Sequence, residues 1–424
     1  MILQKAKGKK IRVEDLRVGM HIVNLDRSWM QHPFLKSRFE VTSEKQIQKL
    51  KDYGILEVYI DPEVGPGIAK TSKEAFPVSS WEKIAKNIKD KHSPPDSSSS
   101  SALSEEVPFQ KELELAHKVQ MEAHTIVRGV MQDIRLGKNI ESKAVKRVVT
   151  NMVDSIFRNR DALSNLTRLK GYDEYTFVHS VNVCVLCLTL GRHLDFEREV
   201  LQQIGIGALL HDAGKMKVPN SILLKPGRLT DAEFKLIKKH PQYALEILEK
   251  TEGIPEESKK VALQHHERFN GRGYPFGLKG EEITLFGQMA AIVDVYDAIT
   301  SDRCYKNAIS PHEGIQKIYE WSPNDFNQSL VERFIQCVGI YPVGTLVQLH
   351  TEEVGIVYSI NHEILLRPKV VVIYKNSNER YPTPILANLM EKTDESYKRT
   401  IVGPVNAQEW KINPNDYLPK GSLT

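Results

Sequence analysis

Between residues 179 and 294 the chain sets out metal-ligand residue types in order: His179, the doublet His211-Asp212, His240, the doublet His265-His266, and Asp294. Five of these residues are histidines, and the chain has only 14 in total. Neighbouring residues on a helix point about 100° apart, so a doublet offers ligands to two metals, or one ligand and one group that orients it. A mixed nitrogen and oxygen set of this size suits two or more first-row transition metals better than a single structural zinc. Any one of these histidines alone would be read as satisfying a local hydrogen bond. Two doublets spaced by about one helical hairpin make the set a site.

Three segments carry the chemistry. HDAGK (211–215) follows the apolar run IGIGALL, which puts His211 and Asp212 at the inner end of a helix. A carboxylate there can bridge cations held about 3.5–4 Å apart. Gly214 is expected to let the chain turn, and Lys215, one turn after His211, to reach the same cavity in a catalytic or phosphate-binding role. In HHERFNGRGYP (265–275) a glycine-punctuated loop presents Arg272 and Tyr274, and Pro275 stiffens its exit. Beside a metal site, such a loop suits a planar base and a phosphate. In AAIVDVYDAITSDRCYK (290–306) Asp294 and Asp297 share one helix face. Asp294 is the better ligand and Asp297 is expected to order its neighbours, while Arg303 and Lys306, three residues apart, read either as a phosphate clamp or as an exposed basic pair.

The elements that must position these residues are mostly helical. In FQKELELAHKVQMEAHTIVRGVMQDI and ESKAVKRVVTNMVDSIF apolar residues recur at three- and four-residue spacing. Before them lies a small α/β unit over residues 1–75: strand material broken by Gly19, a helix after Ser43 with Ile47, Leu50 and Tyr53 on one face and Gly54 at its stop, then the strand EVYID. Residues 76–107, with KHSPPDSSSSSALSEE, read as a flexible linker. Residues 108–342 form the helical domain, and 343–424 a β-rich extension and tail, with strands expected within 343–375.

Composition is that of an ordinary globular protein, with 26% charged residues and a formal charge of +4, so no nucleic-acid polymer or membrane surface is implied. No apolar run approaches the ~20 residues of a membrane span, and the N-terminus lacks a signal-peptide core. Four cysteines fit a reducing cytoplasm. Cys184 and Cys187 form a C-x-x-C, but within an apolar helical run where burial is the expected role.

HDAGK, KKHPQYALEIL, HHERFNGRGYP and DVYDAITSDRCYK together resemble the signature of the HD-GYP family, bacterial phosphohydrolases of the HD superfamily that hydrolyse cyclic di-GMP. The resemblance covers about residues 170–340, and more weakly the N-terminal unit resembles an uncharacterised domain often placed ahead of HD-GYP units. It implies a mainly α fold: a helical HD-type metal-binding bundle, with the small N-terminal α/β domain and a short C-terminal β-rich extension beside it. It assigns His179, His211, Asp212, His240, His265, His266 and Asp294 to metals, His179 only where the site is extended. Lys215 and Asp212 become catalytic. Arg272, Gly273, Tyr274, Pro275, Arg303 and Lys306 become substrate-binding. The chain departs from the family at Asn270, where Asp is usual, and at Cys304, where Pro is usual. Tyr175 stands one turn before His179, and Asp173 and Glu174 are differently phased, so two divalent transition-metal ions, iron or manganese, are expected and a third is not. The implied reaction converts cyclic di-GMP to linear pGpG, with further cleavage to GMP left open. Two alternatives stay open: a non-catalytic cyclic di-GMP sensor, and an HD hydrolase of another nucleotide. A homodimer and a signalling-protein partner bound through residues 1–75 are also left open.

Overall fold

The computed structural model describes residues 9–13, 16, 18–25, 39–52, 57–60, 78–92, 107–167, 175–225, 227, 229–301, 308–376, 379–393 and 396–418. The chain divides into two compact units, Met1–Glu74 and Ala75–Thr424.

The first unit contains β1 (Lys9–Arg12), β2 (His21–Leu25), β3 (Phe39–Glu40), α1 (Glu44–Asp52) and β4 (Glu57–Ile60). Its strands pair antiparallel in the order β1-β4-β2-β3. Ile22, Val41, Ile47, Leu50 and Val58 form a small core between the sheet and α1. Gly19, at φ 95°, takes the left-handed turn before β2 that a side chain would resist. Tyr53 and Gly54 lie outside the described residues.

The second unit is mainly helical. Its first element corrects the linker reading: α2 (Val78–His92) occupies half of the segment expected to be flexible. Trp81 is 1% exposed, its ring centroid 5.3 Å from that of His312 and 6.3 Å from that of Tyr319, and Lys91 pairs with Glu332 at 3.1 Å. An indole buried that fully anchors the helix to the bundle through its large apolar area. The remainder of that segment, 93–106, is outside the described residues.

Then come α3 (Phe109–Arg135), α4 (Ser142–Arg158), α5 (Arg160–Leu166), α6 (Tyr175–His193), α7 (Arg198–Leu210), α8 (Asn220–Leu223), α9 (Asp231–Ile237), α10 (His240–Glu249), α11 (Glu256–Gln264), α12 (Leu285–Thr300), α13 (Pro311–Asp325) and α14 (Gln328–Val338). The amphipathic pair α3 and α4 packs its apolar stripes (Val127, Met131; Val145, Val149, Met152, Ile156) into the same bundle. Two helices at the centre, α6 and α12, are apolar on nearly every side, as a helix surrounded by others must be. Among their buried polar residues, His179, Asn182, Asp294 and Asp297 therefore stand out. Cys184 and Cys187 are buried and unpaired in α6, in line with the packing role expected of them.

The extension forms a five-stranded antiparallel sheet: β5 (Leu346–Leu349), β6 (Val354–Ser359), β7 (Lys369–Asn376), β8 (Glu379–Asn388) and β9 (Ile401–Pro404), in the order β8-β7-β6-β5-β9. It runs past residue 375, where the strands were expected to stop, because β8 and β9 close its two edges. Among the described residues no helix is long and apolar enough to cross a membrane.

Candidate metal centre

Five helices deliver the ligand-type residues to one buried point. His179 comes from α6. His211 ends α7 and Asp212 follows it; His240 opens α10; His265 ends α11 and His266 follows; Asp294 lies in α12. Each doublet sits at a helix C-terminus, where backbone carbonyls lack intrahelical partners. The imidazoles satisfy some of them: Nδ1 of His211 donates to Ala208 O at 2.7 Å, and Nδ1 of His265 to Ala262 O at 2.8 Å. His240 does the same at the end of α9, donating to Ile237 O at 2.8 Å.

A carbonyl only accepts, so these contacts place a proton on Nδ1, and each ring in its neutral form turns an Nε2 lone pair inward. The lone pairs converge. Nε2 of His240 faces Nε2 of His265 at 3.1 Å. Nε2 of His211, Oδ1 of Asp212 and Nδ1 of His266 are buried without a hydrogen-bond partner. Burial and neighbouring positive charge hold His240 down at about 4, and burial keeps His265 and His266 well below the ordinary imidazole range, so no proton relieves the crowding at neutral pH. A cation would. The donor atoms fall into three overlapping groups, each within 4.8 Å: His179, His211 and Asp294; His211, Asp212 and His265; His240, His265 and His266. These residues fit divalent metal ions of the nitrogen- and oxygen-liking kind.

Asp212 stands between the groups. Its Oδ2 lies 3.4 Å from Nε2 of His211 and 2.6 Å from Nζ of Lys215, and its Oδ1 lies 3.4 Å from Nε2 of His240. Asp294 also spans them, with Oδ1 at 2.9 Å from Nε2 of His179 and Oδ2 at 3.7 Å from Nδ1 of His266. Burial works against their ionisation, but Lys215 beside Asp212 and His179 beside Asp294 win, and both carboxyls stay well below the usual range. Conversely, burial lowers His179, yet its hydrogen bonds to Asp294 and Asp297 raise it to about 9. Asp297 acts as the sequence suggested: its Oδ2 takes the Nδ1 proton of His179 at 2.7 Å, and it is itself held by Asn182 at 3.1 Å and Ser301 at 3.2 Å. A carboxylate behind a ligating histidine fixes ring orientation and basicity.

Two glycines allow the close packing this requires. A Cβ on Gly214, within the tight 3-10 turn Ala213–Lys217 that follows α7, would meet His240 O at 1.9 Å, so this glycine also admits α10. A Cβ on Gly273 would lie 2.4 Å from Glu267 Cα. The GYP loop is thereby drawn under the histidines: Tyr274 stacks on His266 with centroids 4.6 Å apart and a 27° tilt. Pro275 follows Tyr274 on the same loop, and Arg272 is exposed beside it. The residue overlooked in the sequence is Glu267. Its buried carboxylate accepts from Phe276 N at 2.8 Å and Leu278 N at 3.0 Å, clamping the loop. An acidic residue directly after a ligand doublet was the available signal. Asn270, at the departure from the family pattern, accepts from Arg272 N at 2.9 Å and donates to Asp325 at 2.9 Å. An aspartate there would face the Asp325 carboxylate. Arg303, Cys304 and Lys306 lie outside the described residues.

A helical bundle with an HD doublet and convergent histidines around it defines an HD-type metal-binding protein. A family profile described as HD domain matches residues 151–329, and one described as a domain of unknown function (DUF3391) matches residues 8–145. The chain is 36% identical over 414 residues to a cyclic di-GMP phosphodiesterase of Pseudomonas aeruginosa, covering 97% of this chain and 96% of that protein. It is 33% identical over 193 residues to a cyclic di-GMP phosphodiesterase response regulator of Xanthomonas campestris, 45% of this chain and 51% of the other. A solved HDG"Y"P protein from Bdellovibrio bacteriovorus aligns over 77% of this chain and 97% of its own, at 17% identity and a TM-score of 0.44. The chain belongs to the HD-GYP family, with the DUF3391 domain ahead of its HD unit.

Proposed function

We infer that the chain is a metal-dependent phosphodiesterase that hydrolyses cyclic di-GMP to linear pGpG. One observation carries the chemistry: the buried Nε2 atoms of His211, His240 and His265 converge on Asp212, those of His240 and His265 facing each other at 3.1 Å. The substrate follows from the relative that matches nearly end to end.

We assign His179, His211, Asp212, His240, His265, His266 and Asp294 as the residues that hold two divalent cations, iron or manganese. Bound cations supply Lewis acidity, which makes water acidic near neutral pH and withdraws charge from a phosphate. The chain's own groups do the rest. Asp212 and Asp294, both anionic, set the charge of the centre and keep its halves in register. Lys215, anchored on Asp212 at 2.6 Å, supplies a proton to the 3′-oxygen as the bond from phosphorus to that oxygen breaks and water adds to phosphorus; the proton the water gives up passes to solvent, from which Lys215 is reprotonated. Tyr274, Pro275 and Gly273 form the floor against which a base lies, with Arg272 at its edge. Arg303 and Lys306 are proposed to clamp phosphate oxygens. The reaction is placed in the cytoplasm, which the unpaired Cys184, Cys187 and Cys337 support.

The test is metal analysis of anaerobically purified protein, with cyclic di-GMP, 3′3′-cyclic GMP-AMP, pGpG and a deoxynucleoside triphosphate offered to the same sample. Divalent metal at about two per chain and preferential cleavage of cyclic di-GMP are expected. Metal-loaded protein that binds cyclic di-GMP without cleaving it would establish a sensor instead.

A further inference from the structure

Three lysines on the segments that carry the ligands are paired with carboxylates. Lys215 has Asp212, Lys217 has Glu246 at 2.8 Å, and Lys225 has Glu233 at 2.8 Å. Lys238, half-buried and two residues before His240, has no carboxylate partner among the described residues. Its ammonium lies instead between two aromatic rings, 4.8 Å from the centroid of Phe234 and 5.3 Å from that of Tyr274.

Backbone geometry fixes this position. Lys238 caps α9 and its N–H donates to Phe234 O at 2.9 Å, so Phe234 and Lys238 share one face a turn apart. The second ring is held from below, because Tyr274 stacks on His266 and its centroid lies 6.4 Å from that of His240. The ammonium is thus one ring removed from the ligand groups. Two aromatic faces attract a cation by about 0.5–2 kcal/mol but do not neutralise it. An ammonium carries three donors, and its ring contacts use none of them in a hydrogen bond. What is missing is an anion.

A cyclic dinucleotide brings two phosphates, on opposite sides of one ring. With one of them at the metal-ligand groups, the second is held away from those groups by the ring that joins the two. We propose that Lys238 binds the second phosphate of the cyclic dinucleotide, the one that is not being cut, with Tyr274 and Phe234 holding its ammonium in place beside the ligand groups. The assignment rests on the phosphodiesterase reading above. It gives the site a means of preferring a diester with two phosphates over one with a single phosphate.

The experiment compares wild type, Lys238→Met and Lys238→Arg, each metal-loaded, on cyclic di-GMP and on bis(p-nitrophenyl) phosphate, with equilibrium binding of cyclic di-GMP measured alongside. Met keeps an apolar stem between the rings and removes the charge. The expected result is a 10- to 100-fold rise in KM and in Kd for cyclic di-GMP with kcat held within about threefold, the size of one lost charge-assisted contact. The preference for cyclic di-GMP over the single-phosphate diester falls by the same factor, and Arg restores it. Equal losses on both substrates, or a fall in kcat at constant KM, would overturn the proposal and make Lys238 a support for Tyr274. Unchanged kinetics and binding would return it to solvent. If wild type cleaves no cyclic di-GMP, the phosphodiesterase reading fails, and the binding comparison alone still decides Lys238.

Discussion

At Glu112 and at Asp212 the chain buries a carboxylate almost completely, 0% and 1% exposed, and treats its oxygens in opposite ways. Glu112, on α3, accepts from Ser155 Oγ at 2.7 Å and from Arg158 Nε and Nη2 at 2.7 and 2.9 Å. Donors of α4 occupy both oxygens. Asp212 has one oxygen on Lys215 and the other, Oδ1, facing histidine lone pairs without a hydrogen-bond partner. Glu353 in the extension resembles Glu112: Arg399, Thr351 and Tyr381 all donate to it. Buried polar groups that the protein itself completes serve the fold. Those it leaves incomplete, several together, are there for something brought in.

The sharpest way to break this comparison is the double change His211→Ala with Asp212→Ala. Turnover should fall to background and bound metal should be lost, because the groups meet at these two residues. The apo fold should survive, since long apolar helices supply the core. Near wild-type hydrolysis by the double variant would show the assigned centre to be wrong. The contrasting change is Arg158→Met. It leaves the buried Glu112 carboxyl group with only Ser155 to donate, which should cost about 3 kcal/mol of stability in urea unfolding. Metal content and kcat of the folded protein should not move. A loss of metal there would erase the distinction between the two carboxylates.

A smaller effect is expected behind the ligands, where the two kinds of carboxylate meet. Asp297 is completed by the protein, through Asn182 and Ser301, yet serves the centre by orienting His179. Asp297→Asn should weaken metal binding about 10- to 100-fold in a competition titration. No change would mean that His179 is oriented by packing alone.

How much of this could be read beforehand depends on the distance over which each signal acts. The ligand types were legible because histidine is scarce and because α6 and α12 are apolar runs in which a single His or Asp is conspicuous. The convergence of lone pairs was not, since it depends on three Nδ1 contacts to carbonyls at helix ends. Helix α2 was hidden because its polar surface matches a linker, and what orders it is Trp81 packing beside His312, far along the chain. Strand β8 was hidden for a related reason. At the edge of its sheet, ERYPTPILAN is exposed along most of its length, so no alternation betrays it. Glu267 was in plain view within HHERF, but its partners are backbone N–H groups, which carry no residue type.

The smallest effect lies in the extension and depends on pH. Burial raises Glu353, but hydrogen bonds from Arg399, Thr351 and Tyr381 outweigh it and hold the carboxyl below its ordinary value. A carboxyl with a depressed folded pKa lends stability that is fully present above its unfolded value of about 4.3 and is lost as pH falls through the folded one. Arg399 is partly exposed, so the contribution should be at most ~1 kcal/mol. Thermal unfolding of wild type and Glu353→Gln, both in chelator so that metal loss adds nothing, should therefore differ at pH 7 and converge as the pH drops below about 4.3. A gap that stays constant with pH would mean that the neutral side chain packs as badly as it pairs, and that Glu353 owes its place to shape and not to its completed charge.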